Sequence, residues 1–214
     1  MINRVLSTPV RRFLGRAAPW MWLAVALPAG CVLMSTAPEQ QVESLMNVAP
    51  DKAVLVGRIE LQPPLREKEQ ILKAPQAGEY RNSFILYAGD RPRNLKAQPP
   101  DSFNGTFLTD LDREFFIKVD KGRTFYISGG MFYSVYNPPF QIESHVVSMD
   151  YQVEILPGDA AVYIGTIQLV RDEQNNITSV LIRDDFQWAD DKYKARFGTH
   201  RTLRKALLVP GAEQ

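Results

Sequence analysis

Ala161-Val162-Tyr163-Ile164-Gly165-Thr166-Ile167-Gln168-Leu169-Val170 is the stretch on which the fold class turns. Its β-branched and aromatic side chains suit a pleated, packed strand. Asp172-Glu173-Gln174-Asn175-Asn176 then breaks the run with turn formers, and a second strand candidate extends from Ile177 to Asp184. Just upstream, Pro157-Gly158 matches a type II turn, with proline presetting one φ and glycine taking the positive one. A strand pair of this kind, bounded by turn chemistry, is a β signature rather than a helical one.

Moving outward, the same period-2 patterning recurs. Ala53 to Leu61 and Ser83 to Tyr87 read as strands, stopped by Pro63-Pro64 and Gly89-Asp90 respectively. Glu67 to Lys73 reads as a charged, helix-like turn, and residues 90–105, with three prolines and Asn104-Gly105, as a long surface loop. Glu114 to Val119 and Arg123 to Ser128 flank Asp120-Lys121-Gly122, a hairpin signal. Met131 to Tyr136, Gln141 to Ser148 and Gln152 to Leu156 are further strands. A single helix is expected near the C-terminus. Asp190 and Asp191 open it, Lys194 and Arg196 close it, and Gly198 caps it, an order that complements the helix dipole. Leu203 to Val209 closes the domain as a strand or short helix. About nine strands with turns every eight to twelve residues predict a mainly β fold, an antiparallel β-sandwich. The absence of βαβ alternation argues against a doubly wound parallel sheet.

One internal echo stands out. Asp51 to Leu61 and Asp159 to Leu169 agree at six of eleven positions, with Gly57 matching Gly165. The match does not extend further, so it reads as two strands under one constraint, in which glycine permits a bulge or a close backbone approach. The Pro-Gly turn, the Val-Tyr-Ile-Gly-Thr-Ile strand and the following hairpin, residues 153–184, resemble small transthyretin-like or carboxypeptidase-regulatory-like sandwiches of envelope lipoproteins. That resemblance covers about a third of the mature chain. It implies an immunoglobulin-like or transthyretin-like fold and says little about activity.

The N-terminus carries a different kind of signal. Arg4, Arg11, Arg12 and Arg16 fall in the first sixteen residues, which hold no acid. A thirteen-residue apolar run, Ala17 to Ala29, follows. A basic segment, a short apolar segment and small residues make a secretory signal. The run is short of the roughly 20 residues that span a bilayer. An uncleaved anchor over residues 17–34 is the competing reading, and Pro19 and Pro28 break its helix. Arg11-Arg12-Phe13-Leu14 lacks the residue that separates the pair from Phe-Leu in twin-arginine signals. Leu27-Pro28-Ala29-Gly30-Cys31 resembles the bacterial lipobox: Ala29, Gly30 and Cys31 match it, and Leu27 stands four residues before the cysteine rather than three. The resemblance implies lipidation of Cys31, cleavage after Gly30, and an acylated new N-terminus. Cys31 is the chain's one cysteine, so a disulfide framework is excluded. Val32 follows where aspartate would signal inner-membrane retention, which implies the outer membrane. The expected organisation is a signal peptide over 1–30, a lipidated tether over 31–51, one sandwich over 52–210 and a tail over 211–214.

Chemistry is sparse in the body of the chain. The full sequence has 25 basic and 24 acidic residues; without the four leader arginines the balance is 21 to 24, or −3. Such a balance gives no electrostatic footprint for nucleic acid. His145 and His200 are the only histidines. His145, two residues from Glu143, reads as a strand histidine bonded to a neighbour, and His200, beside Arg201, as solvated. No Gly-x-Ser-x-Gly elbow or phosphate-binding glycine loop occurs, and Ser128-Gly129-Gly130 reads as a bulge between strands. Asp184, Asp185, Asp190 and Asp191 are explained by a helix start. Asp172 and Glu173 lack the pattern of a calcium loop. No cofactor or metal is implied.

The remaining candidate is a partner surface formed by Phe132, Tyr133, Tyr136 and Phe140 around Pro138-Pro139, since aromatic residues with proline suit protein docking. By strand alternation Phe132 and Tyr136 face the core instead. The expected function is a lipid-anchored envelope protein facing the periplasm of a bacterium, held to the membrane through Cys31. It acts without catalysis, by binding, scaffolding or assembly with an envelope protein partner. The alternative is a lipid-anchored hydrolase built from His145 and the acids of residues 184–191.

Overall fold

The computed structural model describes residues 42–69, 82–92, 95, 106–136 and 141–211. The chain divides into two compact units, Met1–Met34 and Ser35–Gln214. The signal segment, Gly30, Cys31 and most of the expected tether, together with most of the 90–105 loop and Phe140, lie outside the described residues.

Among the described residues of the second unit, ten strands and one α-helix follow one another. The strands are β1 (Lys52–Gln62), β2 (Ser83–Gly89), β3 (Thr106–Asp110), β4 (Glu114–Asp120), β5 (Arg123–Tyr136), β6 (Gln141–Ile155), β7 (Ala161–Arg171), β8 (Ile177–Arg183), β9 (Leu203–Lys205) and β10 (Val209–Pro210). The helix α1 (Phe186–Phe197) stands between β8 and β9. Two five-stranded sheets result. One runs β4-β1-β7-β8 with β9 also on β7, the other β10-β6-β5-β2-β3. This is the expected mainly β, two-sheet sandwich with its helix near the C-terminus. Two ladders of the first sheet, β1–β7 and β7–β9, run parallel within an otherwise antiparallel arrangement.

The echo between residues 51–61 and 159–169 has a direct structural meaning, because β1 and β7 lie side by side at the centre of the first sheet. Beyond the glycines their registers coincide with the sequence match: Ile59 pairs with Ile167 and Leu61 with Leu169. Before them the register is offset by one, with Val54 beside Ala161. The extra residue of β7 is taken up by a bulge at Gly165, whose φ of 105° suits glycine. The bulge resets alternation, so Val162, Ile164, Ile167 and Leu169 all enter the core between the sheets.

That core also takes Leu55 and Ile59 of β1, Phe84 and Leu86 of β2, Phe115 and Ile117 of β4, and Ile127 and Phe132 of β5. Each such side chain contributes about 1.5–3 kcal/mol on burial. A second core lies on the opposite face of the first sheet, where α1 lays Ala189 and Tyr193 over Val54, Val56, Phe116 and Tyr163. Phe197 meets Phe116 edge-on with ring centroids 5.2 Å apart. β1 and β7 are therefore covered on both faces, which is why they read as nearly unbroken apolar runs.

Several local expectations are corrected. Asp120-Lys121-Gly122 does not make a hairpin: β4 and β5 belong to different sheets. The turn's N–H groups go one way each, Lys121 to the Asp51 carbonyl at 3.0 Å and Gly122 to the Ile155 carbonyl at 2.7 Å. A tight turn that crosses between sheets uses the same residues as one that folds back in plane. Pro157-Gly158 does turn, but Gly158 has no positive φ, so it is not type II. The Asp159 carboxylate closes the turn by accepting the Leu156 N–H at 2.7 Å. Arg123–Ser128 and Met131–Tyr136 are one strand with a bulge at Ser128-Gly129, and Gln141–Ser148 and Gln152–Leu156 are also one strand. α1 begins at Phe186, four residues before Asp190, because Phe186 and Trp188 also pack on the sheet. β3 is a strand the sequence does not signal, and residues 203–209 form parts of two short strands rather than one element.

Candidate functional site

β6 and β8 stand at the same open side of the sandwich. β8 ends the β4-β1-β7-β8 path of its sheet. The outer edge of β6 is met only by β10, at Tyr151 and Gln152, so residues 141–149 carry no further strand on that side among the described residues. Between the two edges lies a cleft of about 630 Å³, lined by residues 143–148 and 175–180. At one end Tyr151 donates its hydroxyl to the Val180 carbonyl at 3.2 Å, tying the sheets together.

A chain of polar side chains leads into the cleft from the interior. Arg171 is buried and donates to Glu69 at 3.0 Å, to the Pro63 and Pro64 carbonyls at 2.7 and 2.5 Å, and to Asn175 Oδ1. Asn175 turns the chain with φ 66°, a conformation asparagine tolerates. Its Nδ2 donates to Ser134 Oγ at 3.2 Å, and Ser134 Oγ lies 2.7 Å from His145 Nε2. Ser134 Oγ thus stands between the Asn175 amide, from which it accepts, and the His145 ring nitrogen. Burial pushes the His145 pKa down and the Arg171 charge adds to that, against the opposing pull of Glu143. The ring stacks on Phe132 at 4.8 Å.

This arrangement has the outline of a serine–histidine pair, but Ser134 is fully buried. Its oxygen cannot reach a substrate, and its effect is to orient His145. The site is a polar cleft with one imidazole held through Ser134. Sequence reasoning identified His145 as bonded to a neighbour, which it is, though through Ser134 rather than Glu143. It missed Glu69, Arg171 and Ser134 and read Asn175 only as a turn residue; the three segments that carry them are far apart in the chain and share no motif.

The other candidates do not gather there. Asp184 pairs with Lys205 at 2.9 Å, Asp185 with Arg58 and Arg183 at 3.1 and 3.2 Å, and Asp190 with Lys194. Asp191 accepts from Gln187 at 3.2 Å. None of these acids lines the cleft. Asp172 holds its own turn, accepting from Gln174 and Asn176 N–H groups, both at 2.9 Å. No group of three or more His, Cys, Asp or Glu suited to a metal occurs among the described residues.

Of the expected aromatic surface, Phe132 is core, fully buried, because inner-face alternation places it beside Phe84 and Val147. Tyr133, on the opposite face, is half-buried against Tyr87 and Met131. Tyr136 is the last residue of β5; its side chain and Phe140 lie outside the described residues. No helix among the described residues is long and apolar enough to cross a membrane. Comparison with protein-family profiles, curated proteins and solved structures returns no match.

Proposed function

We propose that this chain is a lipid-anchored envelope protein whose sandwich works in the periplasm as a non-enzymatic binding or assembly module. The observation that carries the reading is the leader: four arginines without an acid, a short apolar run, and Ala29-Gly30-Cys31 at its end. Cleavage after Gly30 leaves Cys31 as the N-terminal residue, and a diacylglyceryl group on its thiol plus an amide-linked acyl chain hold it to the bilayer. One chain holds only marginally, whereas two or three make the anchor lasting. The tether is shorter than the expected 31–51, because Val42 is buried in the second core and donates its N–H to the Phe116 carbonyl at 2.8 Å; residues 32–41 are left to act as the tether, and Val32 favours the outer membrane. The polar cleft supports a binding role, since hydroxyl and amide side chains make up much of its described lining.

Mass spectrometry of the membrane-extracted N-terminus tests this directly. An N-terminal fragment starting at Cys31 with acyl mass is expected, and Cys31→Ala is expected to move the protein from the membrane to the soluble fraction or leave it unprocessed. An intact Met1, or a Cys31→Ala protein processed and membrane-bound as before, overturns the anchor.

A further inference from the structure

We infer that the face where the chain enters the domain, formed by residues 42–48 and the last turns of α1, docks on the anionic bilayer that holds the anchor. This deepens the lipid-anchor reading and rests on it. Val42 is fixed on both sides. Its N–H goes to the Phe116 carbonyl of β4 at 2.8 Å, and its carbonyl accepts from Arg196 Nε at 3.1 Å. The Arg196 guanidinium lies 4.8 Å from the centre of the Phe116 ring. The chain therefore joins the folded part beside the C-terminal turn of α1, on the side of the first sheet that the helix covers. Cys31 and Val42 are eleven residues apart, a stretch that reaches at most about 40 Å when extended. The point of attachment thus lies on the helical side of the sandwich, not on the second sheet.

The side chains around that point suit a lipid surface. Lys192 and Arg196 stand one turn apart on α1, Arg201 follows the helix, and all three are exposed. The Arg201 charge acts on the buried Tyr193 hydroxyl, which places it over the same end of the second core. On β4, Lys118 shares a face with Phe116 by strand alternation. Lys118, Lys192 and Arg201 have no ion-pair partner among the described residues, whereas the helix's own acids are engaged, Asp190 by Lys194 and Asp191 by Gln187. Glu43 and Asp51 are the acids of the entering segment, set against four cations. Met46 supplies the apolar part. It is 94% exposed, while the other exposed large hydrophobic residues fall between 39% and 51%, and its neighbours Leu45 and Val48 pack inward on the second core. An apolar tip that enters the headgroup boundary beside lysine and arginine is the chemistry of an interfacial contact with anionic lipid. The anchor makes the docking intramolecular, so a contact too weak to hold a free protein suffices.

The test uses the full processed chain in vesicles of phosphatidylcholine with or without phosphatidylglycerol. With Cys31 acylated, Met46→Cys and Val146→Cys each carry a single free thiol that takes a fluorophore. Val146 is an exposed position on the outer face of the second sheet, because Val147 beside it enters the core. With phosphatidylglycerol present, brominated lipid is expected to quench the label at position 46 at least about fivefold more than the label at position 146, and added salt is expected to remove the difference. Lys192→Glu combined with Arg201→Glu is expected to lower the ratio of docked to undocked protein at least about tenfold with Tm unchanged. The lipid and salt series decide independently of that variant's folding. Equal quenching at both positions, quenching that ignores phosphatidylglycerol and salt, or a folded double variant that docks as before overturns the proposal. N-terminal mass is read on the same sample. An acylated Cys31 without docking overturns this inference and leaves the anchor standing, whereas an unacylated N-terminus overturns both.

Discussion

Arg171 joins parts of the chain that no local rule connects. It is buried with Glu69 against it, and its remaining donors go to Pro63, Pro64 and Asn175. Removing one member of a buried pair leaves the other charge stranded, at a cost of about 3–5 kcal/mol. Arg171→Met is expected to lose that much in urea unfolding. Burial alone would raise the Glu69 pKa, but the Arg66 N–H and the Arg171 guanidinium outweigh it, and the net direction is down. A carboxyl with a lowered folded pKa stabilises above its ordinary value and loses that contribution as pH falls through its folded value. Glu69→Gln is thus expected to be less stable at neutral pH and to show a flatter decline under acid, measured as urea midpoints across a pH series. Gly130 is a simpler case. A Cβ there would lie 1.9 Å from Phe84 Cε1 and 2.6 Å from the Ile85 carbonyl. Gly130→Ala is expected to cost about 3 kcal/mol through overpacking, read by the same unfolding assay.

Elements were legible where their cause is local. β1, β2, β7 and β8 follow from apolar runs between proline and turn residues, and the Gly57–Gly165 echo marked the bulged pair. What stayed hidden depends on the partner strand. Asp120-Lys121-Gly122 looks the same whether the chain returns in plane or crosses to the other sheet, and β3 is defined by pairing with β2 rather than by its own residues. The start of α1 was misplaced because packing of Phe186 and Trp188 decided it, not the acids of its second turn. The cleft was legible only as His145, since Ser134 and Asn175 meet it through the sandwich rather than along the chain. The β7 bulge carries a sharp expectation. Deleting Gly165 would shift every later residue of β7 to the other face, moving Ile167 and Leu169 out of the core. Cooperative thermal unfolding is expected to vanish in that variant, as followed by circular dichroism.

At the scale of the molecule, fold class was readable from patterning, while the second core was not, because nothing in a strand's sequence says what will lie on its far face. The expected fractionation of Cys31→Ala belongs to this scale as well, since it concerns where the domain is held rather than how it is built. The parallel pairing of β1 with β7 has one more consequence. The middle of the first sheet joins the first described strand to one that follows six others. A ribosome or a translocation channel releases these two partners far apart in time. Until residues beyond Ala161 emerge, β1 has only β4 beside it, and neither core can close. Such long-range closure makes refolding slow, on the order of milliseconds to seconds, and keeps the growing chain threadable until almost all of it is out.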